Sequence, residues 1–372
     1  MNPQYKIEDD FKLLSPSLIF HKDLIEENIA RVVAMAGSPA RLRPHVKTHK
    51  TREIVKLSLA AGITRHKCAT IAEAEMLAQA GAPDILLAYP LVGPNCQRLA
   101  RLMKTYAGSR FSTLVDHPVA LAALSQVMHE EHLELDLFLD FDVGQHRTGV
   151  ADSTLARELY VRMCHMPGLK ARGFHVYDGH NHQESSAERR HSVLTLIEPV
   201  LALRAELQRT GYSVPTIICG GTPTFPIWAS LDIPGLECSP GTFVLYDHGY
   251  GSKYADLSQL IPAAIMITRV VSRPSPTRIT FDLGTKAVAS DPPAGKRCVL
   301  LNLPEYTAVV HSEEHLVVET LAPNDMVPGD IVYAVPTHIC PTCALHRYAY
   351  VADKGRIIGT WDIPARDRLL TV

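Results

Sequence analysis

Between residues 38 and 250 the chain alternates short β-rich runs with longer segments of helical period. The segment IAEAEMLAQAGA at 71–82 shows that period, and its glycine suits a helix C-cap. Such alternation is typical of βα units around a parallel sheet. No glycine-rich fingerprint opens the first βα turn, so we predict an α/β fold of the (β/α)8 TIM barrel type rather than an open doubly wound sheet. The eight strands are expected at residues 41–47, 66–70, 84–89, 111–116, 135–142, 171–178, 216–221 and 237–246.

From about residue 257 the sequence changes to β-branched runs separated by Pro, Gly and Asp, such as IPAAIMITRVVSRP and GDIVYAVP. This texture predicts an antiparallel β domain. We therefore expect a barrel domain at residues 16–255 and a C-terminal β domain at 256–372, with residues 1–15 as a candidate to pack on the latter. The apolar run LLSPSLIF at 13–20 is left over from the barrel, and we expect it to pair with the C-terminal part.

The composition excludes several classes of protein. With 46% hydrophobic residues and a formal net charge of −2, the chain can bury a large core and lacks a basic excess for nucleic acid or anionic membranes. No apolar stretch reaches about 18 residues, and acidic residues stand where a signal peptide would be apolar. We expect a cytoplasmic protein with no nucleic-acid or membrane partner. The eight cysteines are scattered, which disfavours a disulfide framework.

Two cationic motifs follow predicted strands, at the end of a barrel where active sites lie. The first strand ends in RPHVKTHK at 43–50, where neighbouring cations could lower the pKa of Lys47 and free its amine for imine chemistry. A solvated basic turn or a phosphate patch is the alternative, and spacing alone favours it. The fifth strand leads into LDFDVGQHRTG at 139–149, where Arg147 could bind an anionic oxygen or could pair with Asp140 or Asp142.

The later strand ends add histidines and glycine turns. The sixth ends in GFHVYDGHNH at 173–182, which invites a metal or acid–base interpretation, although strand alternation sends His175 and Tyr177 to one side and Asp178 to the other. The turns CGGTPT at 219–224 and SPGTF at 239–243 have the composition of a phosphate cradle on adjacent strand ends. Either turn alone is more often just a tight turn.

Near the C-terminus, THICPTCALH at 337–346 brings His338, Cys340, Cys343 and His346 together. Thiolate and imidazole ligands suit zinc, so a closed structural site of all four is one possibility. A Cys-x-x-Cys redox pair is a second. In a third, His338 and Cys340 project to the same face of a strand and leave metal positions open for substrate and water.

Taken together, the motifs RPHVKTHK, VGQHRTG, HVYDGH, GGTPT, PGTF and HICPT occur in the order and spacing of a known family. The chain resembles the fold-type III pyridoxal phosphate (PLP) enzymes of the D-threonine aldolase and D-serine dehydratase group. The resemblance spans nearly the whole chain. It implies an alanine-racemase-like barrel followed by a β domain that carries metal ligands.

The resemblance also implies roles for individual residues. Lys47 would form the imine with PLP, Arg147 would lie against the cofactor's phenolic oxygen, and Tyr177 would lie near its pyridine nitrogen. His180 would act as acid or base near the substrate's β-oxygen. His338 and Cys340 would bind a divalent metal, zinc or manganese, with magnesium as an alternative. The phosphate would be held by four residues of the two glycine turns, Gly221, Thr222, Gly241 and Thr242.

The implied activity is that of a lyase acting on small D-β-hydroxy-α-amino acids, in a homodimer. The residues of the motifs are most similar to those of D-threonine-aldolase-like chains, and this similarity favours cleavage to glycine and an aldehyde. We associate a cysteine at the position of Cys340 with dehydratases, so a D-serine or D-3-hydroxyaspartate dehydratase is the alternative. A PLP-binding protein without catalytic turnover is a further functional class. The predicted C-terminal β domain is evidence against it, because such small barrel proteins lack that domain.

Overall fold

The computed structural model describes residues 3–303 and 305–372. Its chain divides into two compact units. One, the β unit, comprises Met1–Arg31, Thr48–Ile54 and Thr242–Arg366, and the other, the barrel unit, comprises Val32–Lys47, Val55–Gly241 and Asp367–Val372. No helix in the described part of the chain combines the length and apolar character needed to cross a membrane.

The secondary structure changes, as predicted, from alternating strands and helices to a region that consists mainly of strands. The described strands are β1 Ser17–His21, β2 Arg65–Cys68, β3 Asp84–Pro90, β4 Arg110–Val115, β5 Leu135–Phe141, β6 Leu169–Val176, β7 Thr216–Cys219, β8 Leu236–Cys238, β9 Ala264–Ser272, β10 Arg278–Phe281, β11 Cys298–Leu300, β12 Tyr306–His311, β13 Leu316–Thr320, β14 Ile331–Pro336, β15 Tyr348–Asp353 and β16 Arg356–Asp362. The described α-helices are α1 Lys22–Ala36, α2 Arg52–Ala60, α3 Ile71–Gln79, α4 Pro94–Thr105, α5 Pro118–Glu130, α6 Ser153–His165, α7 Ser186–Arg209, α8 Phe225–Ala229, α9 His248–Gly251 and α10 Ile339–Leu345.

Strands β2 to β8 form a parallel sheet in sequence order, which confirms the predicted α/β fold class. Leu86, Leu114, Phe138 and Ile218 point inward from four of these strands and form a buried apolar cluster. Side-chain caps start four of the helices that connect the strands, α3, α5, α6 and α7. For example, Thr70 accepts a hydrogen bond from the backbone N–H at position 73 at the start of α3. Every residue of β5 is buried, so this strand of the curled sheet is covered on both faces.

The expected first strand at 41–47 differs from the observed structure. Leu42 forms an isolated parallel bridge with Cys238 of β8, and His45 forms one with Lys67 of β2. Between them stands Pro44, which has no N–H to donate but accepts from the backbone N–H of Lys67 at 2.9 Å. Segment 41–47 thus hydrogen-bonds to both edge strands of the seven-stranded sheet without forming a regular ladder. The expected eighth strand is also shorter, because β8 ends at Cys238.

Charged residues fill the end of the barrel unit where the strands begin. The buried Arg43 guanidinium pairs with Asp84 at 2.6 Å and with Glu237 at 2.5 Å. Arg110 also pairs with Asp84, and Arg65 lies 3.0 Å from Glu237. Burial opposes ionisation of Asp84, but Arg43 and Arg110 outweigh it and hold the pKa of this carboxyl below its usual value. This end of the barrel is therefore lined by paired charges.

The β unit contains a nine-stranded sheet with the order β12-β13-β10-β9-β1-β15-β16, to which β14 is joined through β9 and β11 through β14. β1 pairs with β15 in parallel and with β9 in antiparallel orientation. The prediction that the apolar run at 13–20 pairs with the C-terminal part is thereby confirmed.

Replacing Arg43 with methionine is expected to lower the free energy of unfolding by about 3–5 kcal/mol, because Asp84 and Glu237 would lose their buried partner. Chemical denaturation followed by circular dichroism measures this change. Lys104→Met is the control, since the pair of Lys104 with Glu131 is largely exposed and its loss should lower the free energy of unfolding far less. Equal effects of the two substitutions would contradict the importance of the buried ion pairs.

Candidate active site

Lys47 lies at the end of segment 41–47, just beyond the bridge to β2. The neighbouring histidines shape the turn. His45 Nδ1 accepts a hydrogen bond from the backbone N–H of Lys47 at 3.2 Å, and His49 Nδ1 accepts from that of Thr51 at 3.2 Å. Both rings are buried. RPHVKTHK is therefore a folded turn rather than the solvated basic turn considered from the sequence.

Three basic side chains lie near the Tyr177 ring. It follows β6, and its centroid lies 5.8 Å from Lys47 Nζ, 5.6 Å from Lys67 Nζ and 4.8 Å from Arg147 Cζ. A side chain at position 179 would overlap the ring, because a Cβ on Gly179 would stand 2.3 Å from Tyr177 Cε1. The structure thus brings the predicted residues Lys47, Arg147 and Tyr177 together. It adds Lys67, which the sequence reasoning missed.

Lys67 lies on β2 and is 3% exposed. Burial lowers its pKa to about 7, and the Lys47 cation contributes to the shift, against the opposing effect of Asp140. A second cation does stand beside Lys47, but it comes from the next strand rather than from the RPHVKTHK motif. A lysine inside the β-rich run RHKC was the signal in the sequence, because charged residues rarely occupy buried strand positions.

The acidic residues near Arg147 have other partners. Asp140 accepts hydrogen bonds from His175 Nδ1 at 2.7 Å and from Thr148 Oγ1 at 2.7 Å. Burial lowers the pKa of His175 to about 4, so its ring is neutral near pH 7. Asp142 accepts from the backbone N–H and the ring of His146. Within residues 3–303 and 305–372, Arg147 forms no ion pair, so the predicted alternative of pairing with Asp140 or Asp142 is wrong.

The two glycine turns meet at the ends of β7 and β8. The backbone N–H of Gly241 donates to Thr222 Oγ1 at 3.1 Å. A Cβ on Gly221 would lie 3.5 Å from Tyr177 Cε2, so this turn lies against the same ring. The hydroxyl of Ser239 is buried and has no hydrogen-bond partner among the described residues. A free donor in a paired glycine turn is what an anionic ligand requires.

Asp178 anchors the first turn and was not singled out from the sequence. Its carboxylate is buried and accepts from Thr224 Oγ1 at 3.1 Å and from Trp228 Nε1 at 2.9 Å. Burial raises its pKa despite these bonds. A Cβ on Gly220, whose φ is +81°, would stand 2.6 Å from the Trp228 ring, so glycine is required there. Asp178 and Trp228 therefore hold the first glycine turn in place.

His180 lies beside the turn after β5. A Cβ on Gly144 would stand 3.1 Å from His180 Nε2, and the φ of +117° at Gly144 also requires glycine. His180 Nδ1 is buried without a hydrogen-bond partner in the described part of the chain. The neighbouring His182 is exposed. In this rim segment, His175 and His180 each have a buried ring nitrogen without a hydrogen-bond partner among the described residues. The other ring nitrogen of His175 is bonded to Asp140, whereas His180 lies beside the turn at Gly144.

The β unit carries His338 and Cys340, but not on a strand. β14 ends at Pro336, His338 precedes α10 and Cys340 lies in its first turn, so the expected strand alternation is wrong. Pro341 is tolerated in that turn because its missing N–H would have no helical acceptor there. Desolvation acts against the charged ring, but hydrogen bonds with Cys340 and Asp291 raise the pKa of His338 to about 9. The two side chains are neighbours all the same.

Hydroxyl groups surround the Cys340 thiol. Thr48 Oγ1 lies 3.1 Å and Thr242 Oγ1 3.6 Å from Cys340 Sγ. Thr48 is the residue after Lys47, and Thr242 is the second threonine of the predicted phosphate set. His338 Nδ1 lies 2.5 Å from Asp291 Oδ2, which orients the ring. The thiol and the imidazole thus stand in a polar, partly open environment.

Cys343 and His346 are separate from this pair. Cys343 is fully buried, and desolvation raises its pKa far above the usual thiol value. His346 Nε2 is hydrogen-bonded to the carbonyl oxygen of Ala287 at 2.7 Å. Among the described residues, no group of three or more His, Cys, Asp or Glu side chains could hold a metal. The four residues therefore do not form the closed site considered from the sequence.

The barrel residues fit an anionic aromatic aldehyde such as PLP. Lys47 supplies an amine, Tyr177 a flat ring, Arg147 and Lys67 two cations without ion-pair partners among the described residues, and Ser239 an unused buried hydroxyl. The pair His338 and Cys340 offers two ligands of the kind that zinc prefers and leaves other positions open.

Comparisons with known proteins agree with this geometry. Residues 20–245 match the family model of the alanine racemase N-terminal domain, and residues 263–352 match that of a serine dehydratase domain. The D-threonine aldolase of Arthrobacter sp is 30% identical over 95% of this chain and 92% of its own. The 3-hydroxy-D-aspartate aldolase of Paracoccus denitrificans (strain Pd 1222) is 28% identical over 97% of this chain and 94% of its own.

The solved structures give the same result. The crystal structure of D-threonine aldolase from Filomicrobium marinum superposes with a TM-score of 0.88 at 25% identity and covers 97% of each chain. Chain length, domain order and fold therefore agree together. The chain belongs to the alanine racemase-like, fold-type III family of PLP-dependent lyases that contains the D-threonine aldolases and D-serine dehydratases.

Proposed function

We propose that the protein is a PLP- and metal-dependent lyase that cleaves D-β-hydroxy-α-amino acids to glycine and an aldehyde, as a D-threonine aldolase does. The convergence of Lys47, Arg147 and Lys67 on the Tyr177 ring is the observation that carries the proposal. It provides an amine for an aldehyde and cations for an anionic ring. The relatives named D-threonine aldolase and 3-hydroxy-D-aspartate aldolase support the same reaction class.

In this proposal Lys47 would hold the cofactor through its amine, and Tyr177 and Arg147 would orient its ring. The backbone N–H groups of the glycine turns and the hydroxyls there bind the phosphate, with Gly221, Thr222, Gly241 and Thr242 as the predicted residues. Bound PLP supplies an electron sink that weakens bonds to the substrate's Cα. Asp178 keeps the first turn in place through Thr224 and Trp228.

The residues around the substrate's β-oxygen complete the proposal. His338 and Cys340 would bind a divalent metal, whose Lewis acidity favours loss of the β-hydroxyl proton. His180, with its unused ring nitrogen, would accept or return that proton. The thiol and imidazole favour zinc, with manganese or magnesium as alternatives, and two protein ligands leave positions for water and substrate.

A dehydratase is the second candidate function. The Cys340 thiol at the second metal position favours it, and the D-threo-3-hydroxyaspartate dehydratase of Delftia sp. (strain HT23) is 28% identical over 63% of this chain. In that reaction the metal would assist departure of the hydroxyl itself, and a 2-oxo acid and ammonia would result. D-Serine and D-3-hydroxyaspartate are the corresponding substrates.

Organisation and location complete the proposal. We place a barrel domain at 16–255 and a β domain at 256–372, and we expect a homodimer on the strength of the family resemblance. No two cysteines among the described residues form a disulfide, which supports a reducing, cytoplasmic location.

Incubation of the protein with D-threonine, PLP and a divalent metal is expected to give glycine and acetaldehyde, because the proposed bond cleavage is between Cα and Cβ. Amino-acid chromatography and an aldehyde assay measure the products, and L-threonine is the control. Formation of 2-oxobutanoate and ammonia instead would establish the dehydratase. Turnover of none of D-threonine, D-serine or D-3-hydroxyaspartate would refute the lyase assignment.

Lys47→Ala is expected to abolish the yellow absorbance that PLP gives on binding to the wild-type protein, because the imine nitrogen is lost. Far-ultraviolet circular dichroism should remain unchanged. Lys56→Ala, at an exposed position on α2, is the control and should retain the band. A wild-type band in the Lys47 variant would remove Lys47 from its proposed role.

Cys340→Ala is expected to weaken metal affinity by at least about 100-fold and to lower metal-dependent activity accordingly, because one of two protein ligands is lost. Cys343→Ala is the matched control. It should keep wild-type metal affinity and cost about 1 kcal/mol of stability, since its thiol is buried and bears no proposed ligand role. Metal titration after chelator treatment measures both. Equal losses in the two variants would favour a structural or redox pair.

A further inference from the structure

Lys67 is a buried amine that forms no ion pair among the described residues. Its side chain is 3% exposed, and Nζ lies 5.6 Å from the Tyr177 ring centroid. In the described residues no carboxylate oxygen stands within 4.0 Å of this nitrogen. Its electrostatic neighbours are Lys47, Asp140, Cys219 and Arg147. Burial of a lysine in this way costs free energy, since the loss of hydration is not offset by a paired anion.

The nearby acidic group does not balance these cations. Asp140 is itself buried, and its two oxygens accept hydrogen bonds from His175 and Thr148. His175 is neutral near pH 7 and adds no charge to this group. Asp140 is therefore the carboxylate that acts on Lys67, and it is opposed there by the charges of Lys47 and Arg147. The basic side chains around the Tyr177 ring therefore outnumber the acidic ones, and an anionic ligand would offset this difference.

We propose that Lys67 is a cofactor-binding residue whose amine, together with Arg147, binds the phenolic oxygen of PLP. This inference rests on the proposed function. Lys67 and Lys47 face the same Tyr177 ring at nearly the same distance, 5.6 and 5.8 Å. In PLP the carbon that bears the aldehyde has two ring neighbours, one with the phenolic oxygen and one with the phosphate arm. The glycine turns of β7 and β8 account for the phosphate, so the phenolic oxygen remains for Lys67.

An anionic oxygen at this place would supply the missing partner. It would form a charge-assisted hydrogen bond with Lys67 Nζ and would favour the protonated amine, reversing the effect of burial and of the Lys47 cation. The other charged or titratable neighbours, Asp140, Cys219, Arg147 and His175, stay in place. Lys67 thus recognises one atom of the cofactor.

The test compares the affinity of the apoprotein for PLP and for the PLP analogue that lacks the phenolic oxygen, by titration of absorbance and fluorescence. Lys67→Met should weaken PLP binding by about 10- to 100-fold, the range for a hydrogen bond to a charged group, and should leave the analogue's affinity unchanged. Lys67→Gln, which keeps a donor, should be intermediate. Lys170→Met, at an exposed lysine of β6, should match wild type for both ligands.

The thermal stability of the apoproteins separates a binding role from a structural one. Lys67→Met should be at least as stable as wild type, because an unpaired buried amine is replaced by a side chain of similar length. Unchanged PLP affinity, equal loss for both ligands, or a less stable or unfolded Met variant would overturn the inference. Failure of the wild-type protein to bind PLP would instead refute the proposed function.

Discussion

The site depends on how segment 41–47 closes the parallel sheet. This segment bonds to β8 at Leu42 and to β2 at His45, so that Lys47 emerges between the carboxyl ends of two edge strands. On one side stands Lys67, and on the other the turn that contains Gly241, which is hydrogen-bonded to the turn of Thr222. An irregular segment can do this because its first part bonds to β8, through the N–H of Arg43 and the carbonyl of Cys238, and its last part bonds to Lys67 of β2. Lys47 is thereby placed by backbone hydrogen bonds of its segment and by the bond of its own N–H to the His45 ring.

Much of this architecture could be predicted from periodicity, and the misses have a common cause. The alternation of β-rich and helical segments predicted the parallel sheet and its order, and the run at 13–20 was correctly separated from it. The first and last expected strands are broken at Pro44 and just before Pro240. Proline cannot donate to a ladder, so the apolar pattern continued where the hydrogen bonds could not. The His338–Cys340 pair was likewise found by its residue types but placed on a strand instead of a helix start.

The site residues divide in the same way. Lys47, Arg147 and Tyr177 lie in motifs that a reader of the sequence can recognise, and the structure brings them to one ring. Lys67 and Asp178 act through contacts between distant segments. Asp178 reaches Trp228 across 50 positions, and Lys67 meets Tyr177 from a strand on another part of the sheet. No local pattern encodes such contacts, because they arise only when the sheet curls.

The two ends of the barrel unit treat buried charge in opposite ways. Where the strands begin, Arg43 is held by two carboxylates and the charges are matched within the protein. Where the strands end, Lys67 and Arg147 face a ring with no paired anion among the described residues, although Lys67 is as buried as Arg43. Matched pairs hold a fold together without needing a ligand, whereas unmatched cations raise the free energy of the empty protein and lower it again when an anion binds. The buried charges at one end of the barrel unit therefore stabilise the fold, and those at the other end provide the capacity to bind an anionic cofactor.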